Sequence, residues 1–398
     1  MKKKNPALIL GMFETGLGVA RSLGVEGIRV FGMDYKKDIA FYSRYVQATL
    51  CPHPLDNQEE FLYQLRDWAA KQAEKPVLFI TSDNFLFAIS QNRDKLSEKF
   101  LFNLPAHDKI EAIADKFCQH QLAVSVNVDT PKTYTFDSMA AAETMESGMP
   151  YPVFIKALDV NSWKKAISGT IKGFVAKNRG ELLTQLSGIF TKKVAVIVQE
   201  IIPGPDTNHY KFCGYVDREG RLLLGFTLRK LRQNPIHFGV GAVVESIDYP
   251  ELFEIGSKFF KEISYRGIGS AEFKLDERDG KLKLIELNPR YWQQNSLATA
   301  CGMNFPLFDY LGVTGQNPTL QLEYRTGIKW VNRYMDLDSF FKYRKERALN
   351  FSTWRKSLKG RKVYSDFTWN DPIPAFYEIG FGRKLLKAPG FIFKRILR

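Results

Sequence analysis

Apolar runs closed by glycine or an acidic residue mark the first hundred positions of the chain. Ala7-Leu-Ile-Leu-Gly11, Ile28-Arg-Val-Phe-Gly-Met-Asp34 and Val77-Leu-Phe-Ile-Thr-Ser-Asp83 are nearly continuous rather than alternating, as strands buried on both faces are. A helix is expected from Val19, after the first of them. This strand–helix alternation predicts a parallel, doubly wound unit over about residues 6–105. Further on, the spacing predicts a helix over 111–123 and strands at Val153-Phe-Ile-Lys156 and Val194-Ala-Val-Ile-Val-Gln-Glu200, in a second unit of α+β type. A third unit holds a helix near 250–263 and a hairpin. After about residue 315 the pattern turns aromatic and basic, with weak periodicity. With no repeats and no low-complexity linker, these units are expected to pack tightly, with boundaries at 1–108, 109–200, 201–315 and 316–398.

The hairpin carries the clearest chemistry. Ser270-Ala-Glu272-Phe-Lys and Lys283-Leu-Ile-Glu286-Leu-Asn288-Pro-Arg290-Tyr-Trp292 are β-rich segments joined by the turn Glu277-Arg-Asp-Gly280. Alternation puts Glu286 and Asn288 on one face, and Glu272 on the neighbouring strand can face them. Two carboxylates and an amide oxygen around one point suit a hard cation such as magnesium, held jointly with substrate phosphates. Arg290, next on the same face, adds a fork for phosphate or carboxylate. A merely solvated hairpin is the competing reading. It is weakened because Glu286 and Asn288 interrupt an otherwise buried run, where an unpaired carboxylate is costly.

Length and composition narrow the class. A chain of 398 residues suggests two or three domains. Cys51, Cys118, Cys213 and Cys301 are scattered with no CxxC pair, so they read as buried thiols of a reducing compartment and not as a disulfide frame or zinc site. The basic start is followed by an apolar run too short for a leader, and no stretch reaches membrane-span length, so a cytosolic protein is expected. The net charge of +14 is unevenly placed: residues 321–398 hold 18 Lys and Arg against 7 Asp and Glu. The body is close to neutral, and the basic character argues for an accessory surface in the tail rather than a general nucleic-acid binder.

Two nucleotide signals compete. The Gly16-x-Gly18 turn with Asp34 at the end of the second strand invites a dinucleotide site, but Arg21 stands at the third glycine position and Glu14 crowds the phosphate loop. The better signal runs through the middle of the chain. Lys116 precedes Thr130-Pro131, Lys156 closes an apolar strand, and Gln199-Glu200-Ile201-Ile202-Pro203-Gly204-Pro205-Asp206 is a strand end followed by a kinked segment that can meet an adenine through its backbone. A lone strand-end lysine is usually a surface snorkeller. The ordered set Lys116, Lys156, Glu200, Glu272, Glu286, Asn288 is more specific.

Over roughly residues 1–315 that set resembles the ATP-grasp superfamily, in order, spacing and flanking residues: Tyr-Pro-Val-Phe-Ile-Lys156, Gln-Glu200-Ile-Ile-Pro-Gly, Glu-Leu-Asn-Pro-Arg290. Thr81-Ser-Asp83, Asn92-Arg93, Arg229-Lys230-Leu-Arg232-Gln and Gly239-Val-Gly241 look like the carboxylate–amine ligases within it, of the D-aspartate ligase-like and exopolysaccharide-cluster kinds. The resemblance implies a Rossmann-like preATP-grasp domain, then a two-subdomain ATP-grasp fold, with the basic C-terminal extension outside it. It implies ATP and Mg2+ as cofactors. Lys116 and Lys156 would contact phosphates, Glu200 and Ile202 frame the adenine, and Asp206 meet the ribose. Glu272, Glu286 and Asn288 would hold the magnesium, and Arg290 the transferring phosphoryl group. Two departures stand out. Residues 159–165 lack the glycine-rich phosphate cover of many members, leaving Lys164, Lys165 or Lys172 for that role, and Asp206 replaces the commoner glutamate.

The reaction so implied joins a small-molecule carboxylate to an amine through an acylphosphate, on a substrate that a cell-envelope or polysaccharide precursor would fit. Arg229, Lys230, Arg232 and His237 become candidates for gripping the acidic substrate; a solvated basic loop is the plain alternative. His209, with no acid–base partner visible, reads as structural. The basic aromatic segment ending Arg383-Lys-Leu-Leu-Lys387-Ala-Pro-Gly-Phe-Ile-Phe-Lys-Arg-Ile-Leu-Arg398 suggests peripheral contact with an anionic membrane, or else docking on the body. A homo-oligomer is a further candidate partner, and no nucleic acid is expected. The alternatives are an ATP-grasp phosphotransferase or carboxylase, and a basic nucleic-acid- or membrane-binding protein with a silent ATP-grasp fold.

Overall fold

The structure is a computed structural model and describes residues 4–144, 148–158, 163, 167 and 173–377. Three sheets organise it. The first is parallel, with β1 (Ala7–Leu10), β2 (Val30–Asp34), β3 (Val46–Leu50) and β4 (Val77–Ile80) in the order β3-β2-β1-β4. All four residues of β1 and of β4 are buried, as their unbroken apolar runs predict. The first helix, Glu14–Gly24, begins five residues before Val19 and takes Gly16 and Gly18 inside it. These two are packing glycines: a Cβ at Gly16 would lie 2.2 Å from the Gly11 carbonyl oxygen, and one at Gly18 would lie 2.4 Å from Asn295 Oδ1. The Asp34 carboxylate accepts from Met12 N (2.6 Å) and Tyr35 N (2.8 Å), which ties it to the backbone of the strand ends. The dinucleotide signal is thus a close helix–strand packing.

The second sheet is antiparallel: β5 (Thr133–Phe136), β6 (Val153–Ala157), β7 (Phe174–Ala176) and β8 (Val196–Glu200), in the order β5-β8-β6-β7. Ahead of it the expected helix over 111–123 is two, His107–Ala114 and Lys116–Ser125. Asp115 turns the chain between them and caps the second, its carboxylate accepting from Phe117 N and Cys118 N. That break places Lys116 at a helix start.

The third sheet has seven strands: β9 (His209–Val216), β10 (Leu222–Asn234), β11 (Val240–Ser246), β12 (Gly267–Asp276), β13 (Lys281–Asn288), β14 (Lys329–Val331) and β15 (Lys362–Tyr364). Their order is β13-β12-β9-β10-β11-β14-β15, so two strands from beyond residue 315 extend it. The weakly periodic region therefore continues this sheet, and its helix Arg333–Lys345 packs on β10 and β11. The helix Pro250–Glu262 covers one face of the sheet: Phe259 and Phe260 are buried with Phe212, and the close approach at Gly256 leaves no room for a Cβ, which would sit 2.3 Å from the Phe212 ring. The opposite face near β9, β12 and β13 carries polar side chains toward the second sheet.

Candidate active site

The hairpin ladder is broken by a bulge between the Glu272 and Phe273 pairs, with Ile285 as the extra residue, and that bulge turns Glu286 to the face of Glu272. Ser270 pairs with Asn288, Ala271 with Leu287 and Glu272 with Glu286, so the two carboxylates stand directly opposite one another on adjacent strands. Like charges so placed are destabilising unless cations share the site. Here lysines do. Lys116 Nζ donates to Glu286 Oε1 at 2.6 Å, Lys230 Nζ donates to Glu272 Oε1, and Lys211 Nζ lies 3.7 Å from Glu272 Oε2. Asn288 Nδ2 donates to Glu286 Oε2 at 3.1 Å. Lys156 Nζ, on β6, donates to Gln199 Oε1 at 3.1 Å and sits near enough to Lys116 and Glu286 for their charges to act on it. Lys116, Lys156, Glu272, Glu286 and Asn288 are therefore one cluster between the second and third sheets.

The electrostatics follow from that crowding. Burial pushes the Glu286 carboxyl up, but the Lys116 ammonium outweighs it and holds Glu286 down at about 2. Burial acts likewise on Glu272, and Lys230, His209 and Lys211 together hold it well below the usual carboxylate range. Burial, with Lys116 close by, pushes the Lys156 ammonium down to about 8. Burial also lowers Lys230, although Glu272 opposes it. Both carboxylates are ionised at neutral pH and offer hard oxygen donors.

Among the described residues no three His, Cys, Asp or Glu side chains are grouped to hold a metal ion. The donor set that exists is two carboxylates and an amide oxygen, which leaves coordination positions for phosphate oxygens and water, as magnesium prefers. The facing, ionised pair Glu272 and Glu286 fits such a cation.

Other expected residues are placed differently. Glu200 Oε2 accepts from Lys132 N (3.0 Å) and Oε1 from Arg278 of the hairpin turn; Glu200 thus ties the second sheet to the third at the mouth of the cluster. Ile202 is buried next to it. The Asp206 carboxylate accepts from His237 N (2.8 Å) and from the Tyr343 hydroxyl. Burial pushes this carboxyl up, and those two donors outweigh it and hold it below its usual value. His237 N and the Tyr343 hydroxyl both engage Oδ2, so the Asp206 side chain bridges the β10–β11 loop to the C-terminal extension. Arg290 forms a bidentate pair with Asp83, Nε–Oδ1 at 2.6 Å and Nη2–Oδ2 at 3.1 Å, and so joins the hairpin to the first sheet's side of the molecule. Arg229 pairs with Glu245 (3.0 Å) across β10–β11. Arg232 is buried against Asp336 and Ser357 of the extension. Neither of these last two arginines joins the carboxylate cluster. Lys164, Lys165 and Lys172 lie outside the described residues.

The residues the sequence reading underrated are Lys211, His209 and Lys230. Glu272 pairs in register with Lys211, and Lys274 with His209, on neighbouring strands. His209 Nδ1 lies 3.3 Å from Glu272 Oε1, so the histidine has a carboxylate partner after all. The signal was present: His209-Tyr-Lys211 alternates on an otherwise apolar strand, as Glu286 and Asn288 do. Above the cluster, Phe238 of the β10–β11 loop stacks on Phe154 of β6 (4.8 Å, 17°), a contact across the cleft.

A parallel sheet, a small antiparallel sheet and a long, mostly antiparallel sheet, with lysines facing carboxylates between the last two, define the ATP-grasp fold, and the chain has it. Solved structures of this fold superpose on most of it. They include an L-amino acid ligase from Bacillus licheniformis (TM-score 0.59, 14% identity, 79% of this chain and 75% of that one) and N5-carboxyaminoimidazole synthetase from Staphylococcus aureus complexed with ADP (0.61, 17%, 82% and 81%). The biotin carboxylase domain of Hydrogenobacter thermophilus 2-oxoglutarate carboxylase, in complex with MgADP, is similar too (0.61, 18%, 82% and 74%). In sequence, the chain is 26% identical over 279 residues to a D-aspartate ligase from Enterococcus faecium (strain Aus0004). That match spans 67% of this chain and 66% of the relative's length. No family model matches.

Proposed function

We propose that the chain is an ATP-dependent ligase that forms an amide from a carboxylate and an amine. The observation that carries this is the register-paired Glu272 and Glu286, with Asn288, facing Lys116 and Lys156 across a cleft between two sheets. Lys116 and Lys156 would bind ATP phosphates. Glu272, Glu286 and Asn288 would hold magnesium, which when bound neutralises charge on the transferring phosphoryl group. One oxygen of the substrate carboxylate attacks the γ-phosphorus and ADP leaves; the amine nitrogen then attacks the acyl carbon, the C–O bond to phosphate breaks, and the amine loses a proton. The chain's contribution is positioning and fixed positive charge from Lys211 and Lys230 beside the carboxylates. The similarity to a D-aspartate ligase makes an acidic amino acid the first carboxylate to test.

The extension supports a finer reading, peripheral contact with an anionic membrane. Trp369 is 89% exposed and Phe376 68%, with Ile373 also exposed, and six Lys and Arg follow in residues 378–398. No helix among the described residues is long and apolar enough to cross a membrane.

The deciding experiment is ADP release by purified protein with D-aspartate and a panel of amines, with mass spectrometry of the product. Release that needs both a carboxylate and an amine is expected. Glu286→Ala should lower it about 100-fold or more while the folded circular-dichroism spectrum persists, since removing a group that holds transition-state charge costs that much. Near-normal turnover in Glu286→Ala, or turnover with bicarbonate and no amine, would sink the assignment.

A further inference from the structure

A second concentration of charge lies where β9 and β12 point away from the carboxylate cluster. Lys75, Arg93, Arg218 and Arg266 line one groove of about 460 Å3, with Phe100 and Phe102 between them, and no carboxylate lines it. Among the described residues none of the four is in an ion pair. The three guanidinium groups are instead fixed by neutral carbonyls. Arg93 Nη1 donates to Leu104 O (2.9 Å) and Pro105 O (2.8 Å), Arg218 Nη2 to Phe102 O (3.1 Å), and Arg266 to Arg218 O (3.1 Å) and Tyr265 O (2.7 Å). Those bonds orient each fork without neutralising it and leave its other N–H groups unengaged.

Four cations around one concavity repel one another unless an anion joins them, and oriented guanidinium forks match the oxygens of phosphate or carboxylate. We propose that this groove binds a small polyanion carrying two or more phosphate or carboxylate groups. It is separate from the ATP cleft: Arg218 follows Lys211 by seven residues along and just past β9, about 20 Å at strand rise. Its walls come from two units. Lys75 and Arg93 belong to the side of the parallel sheet, Arg218 and Arg266 to the ends of strands in the long sheet. A bound anion would bridge them.

Titration calorimetry with pyrophosphate and with citrate, on protein carrying Lys156→Ala so that the ATP cleft contributes little, tests this. Saturable binding near one per chain is expected for at least one anion. Pyrophosphate alone marks a phosphate site, citrate alone a carboxylate site, and both a general polyanion site. Arg218→Gln with Arg266→Gln should weaken binding roughly tenfold or more, as loss of charge-assisted hydrogen bonds does. Lys75→Glu, at an exposed position that carries no fold risk, should weaken it several-fold. No saturable binding of either anion, or affinity unchanged by Lys75→Glu and by the arginine pair, overturns the proposal.

Discussion

Lys156 is where the site's physics is most exposed to measurement. Its ammonium, lowered to about 8 by burial and by Lys116, is less favourable in the folded chain than in the unfolded one, where a lysine titrates at 10.5. The unfolded state thus binds more protons between those values. The burial cost is present in full below pH 8 and is relieved as pH rises from about 8 toward 10.5. Competitive labelling with acetic anhydride, read by mass spectrometry, should show Lys156 gaining reactivity with a midpoint near pH 8, well below the exposed lysines. ATP with magnesium should suppress that labelling, because a polyphosphate favours the charged form. A midpoint above pH 10 without nucleotide would remove Lys156 from the cluster. This residue was legible in sequence only as a member of the ordered set with Lys116, Glu200, Glu272, Glu286 and Asn288, since a strand-end lysine alone is usually a surface snorkeller. Asp206 and Arg232 were legible as polar positions but not as contacts. Their partners Tyr343 and Asp336 lie 137 and 104 residues further along.

At the scale of elements, the hairpin and the extension differ in how far local pattern decides them. Alternation puts Glu286 and Asn288 on one face from the sequence alone, but counting back from the turn would pair Glu272 with Ile285; the bulge at Ile285, which no local pattern announces, is what sets Glu272 opposite Glu286. The helix Arg333–Lys345 has little amphipathic pattern, and what fixes it is a buried network. Arg232 Nε donates to Asp336 Oδ1, Trp354 Nε1 to Asp336 Oδ2 (3.0 Å) and Arg232 Nη1 to Ser357 Oγ (2.6 Å). Removing one member leaves the other charge buried and unpaired, which costs about 3–5 kcal/mol. Asp336→Ala should therefore lower the free energy of urea unfolding by that order. A change under about 1 kcal/mol would show that the extension is not anchored through this pair.

The whole molecule is closed by contacts between its two ends. Asp371, fully buried, accepts from Arg21 Nε (2.9 Å), Ser43 Oγ (2.7 Å) and Arg44 N (2.9 Å), and Arg21 also donates to the Asp366 carbonyl (2.9 Å). Tyr42 stacks on Tyr377 at 4.1 Å. Arg21, which reads in sequence as a misfit in a glycine motif, is thus the anchor of a clasp to a segment 350 residues away, a relation that no local pattern carries. With β14 and β15 in the long sheet, the extension up to about residue 377 is part of the folded body, whereas the basic residues beyond it are a separate question of charge. Two truncations separate these roles. Ending the chain at 315 removes Asp336, Asp366 and Asp371, strips two strands from the sheet edge and leaves Arg21 and Arg232 without their carboxylates; such protein should be insoluble or should lose its cooperative unfolding transition. Ending it at 377 removes six cations and one acid but no residue of the carboxylate–lysine cluster, and should leave ADP release in solution within about twofold of the full chain. Only the full chain should then float with liposomes rich in phosphatidylserine, and less so as salt rises, because the attraction is screened within about 8 Å at physiological ionic strength. If the chain ending at 377 floats as well as the full one, the basic segment is not the membrane contact, and Trp369, Ile373 and Phe376 are the residues to substitute next.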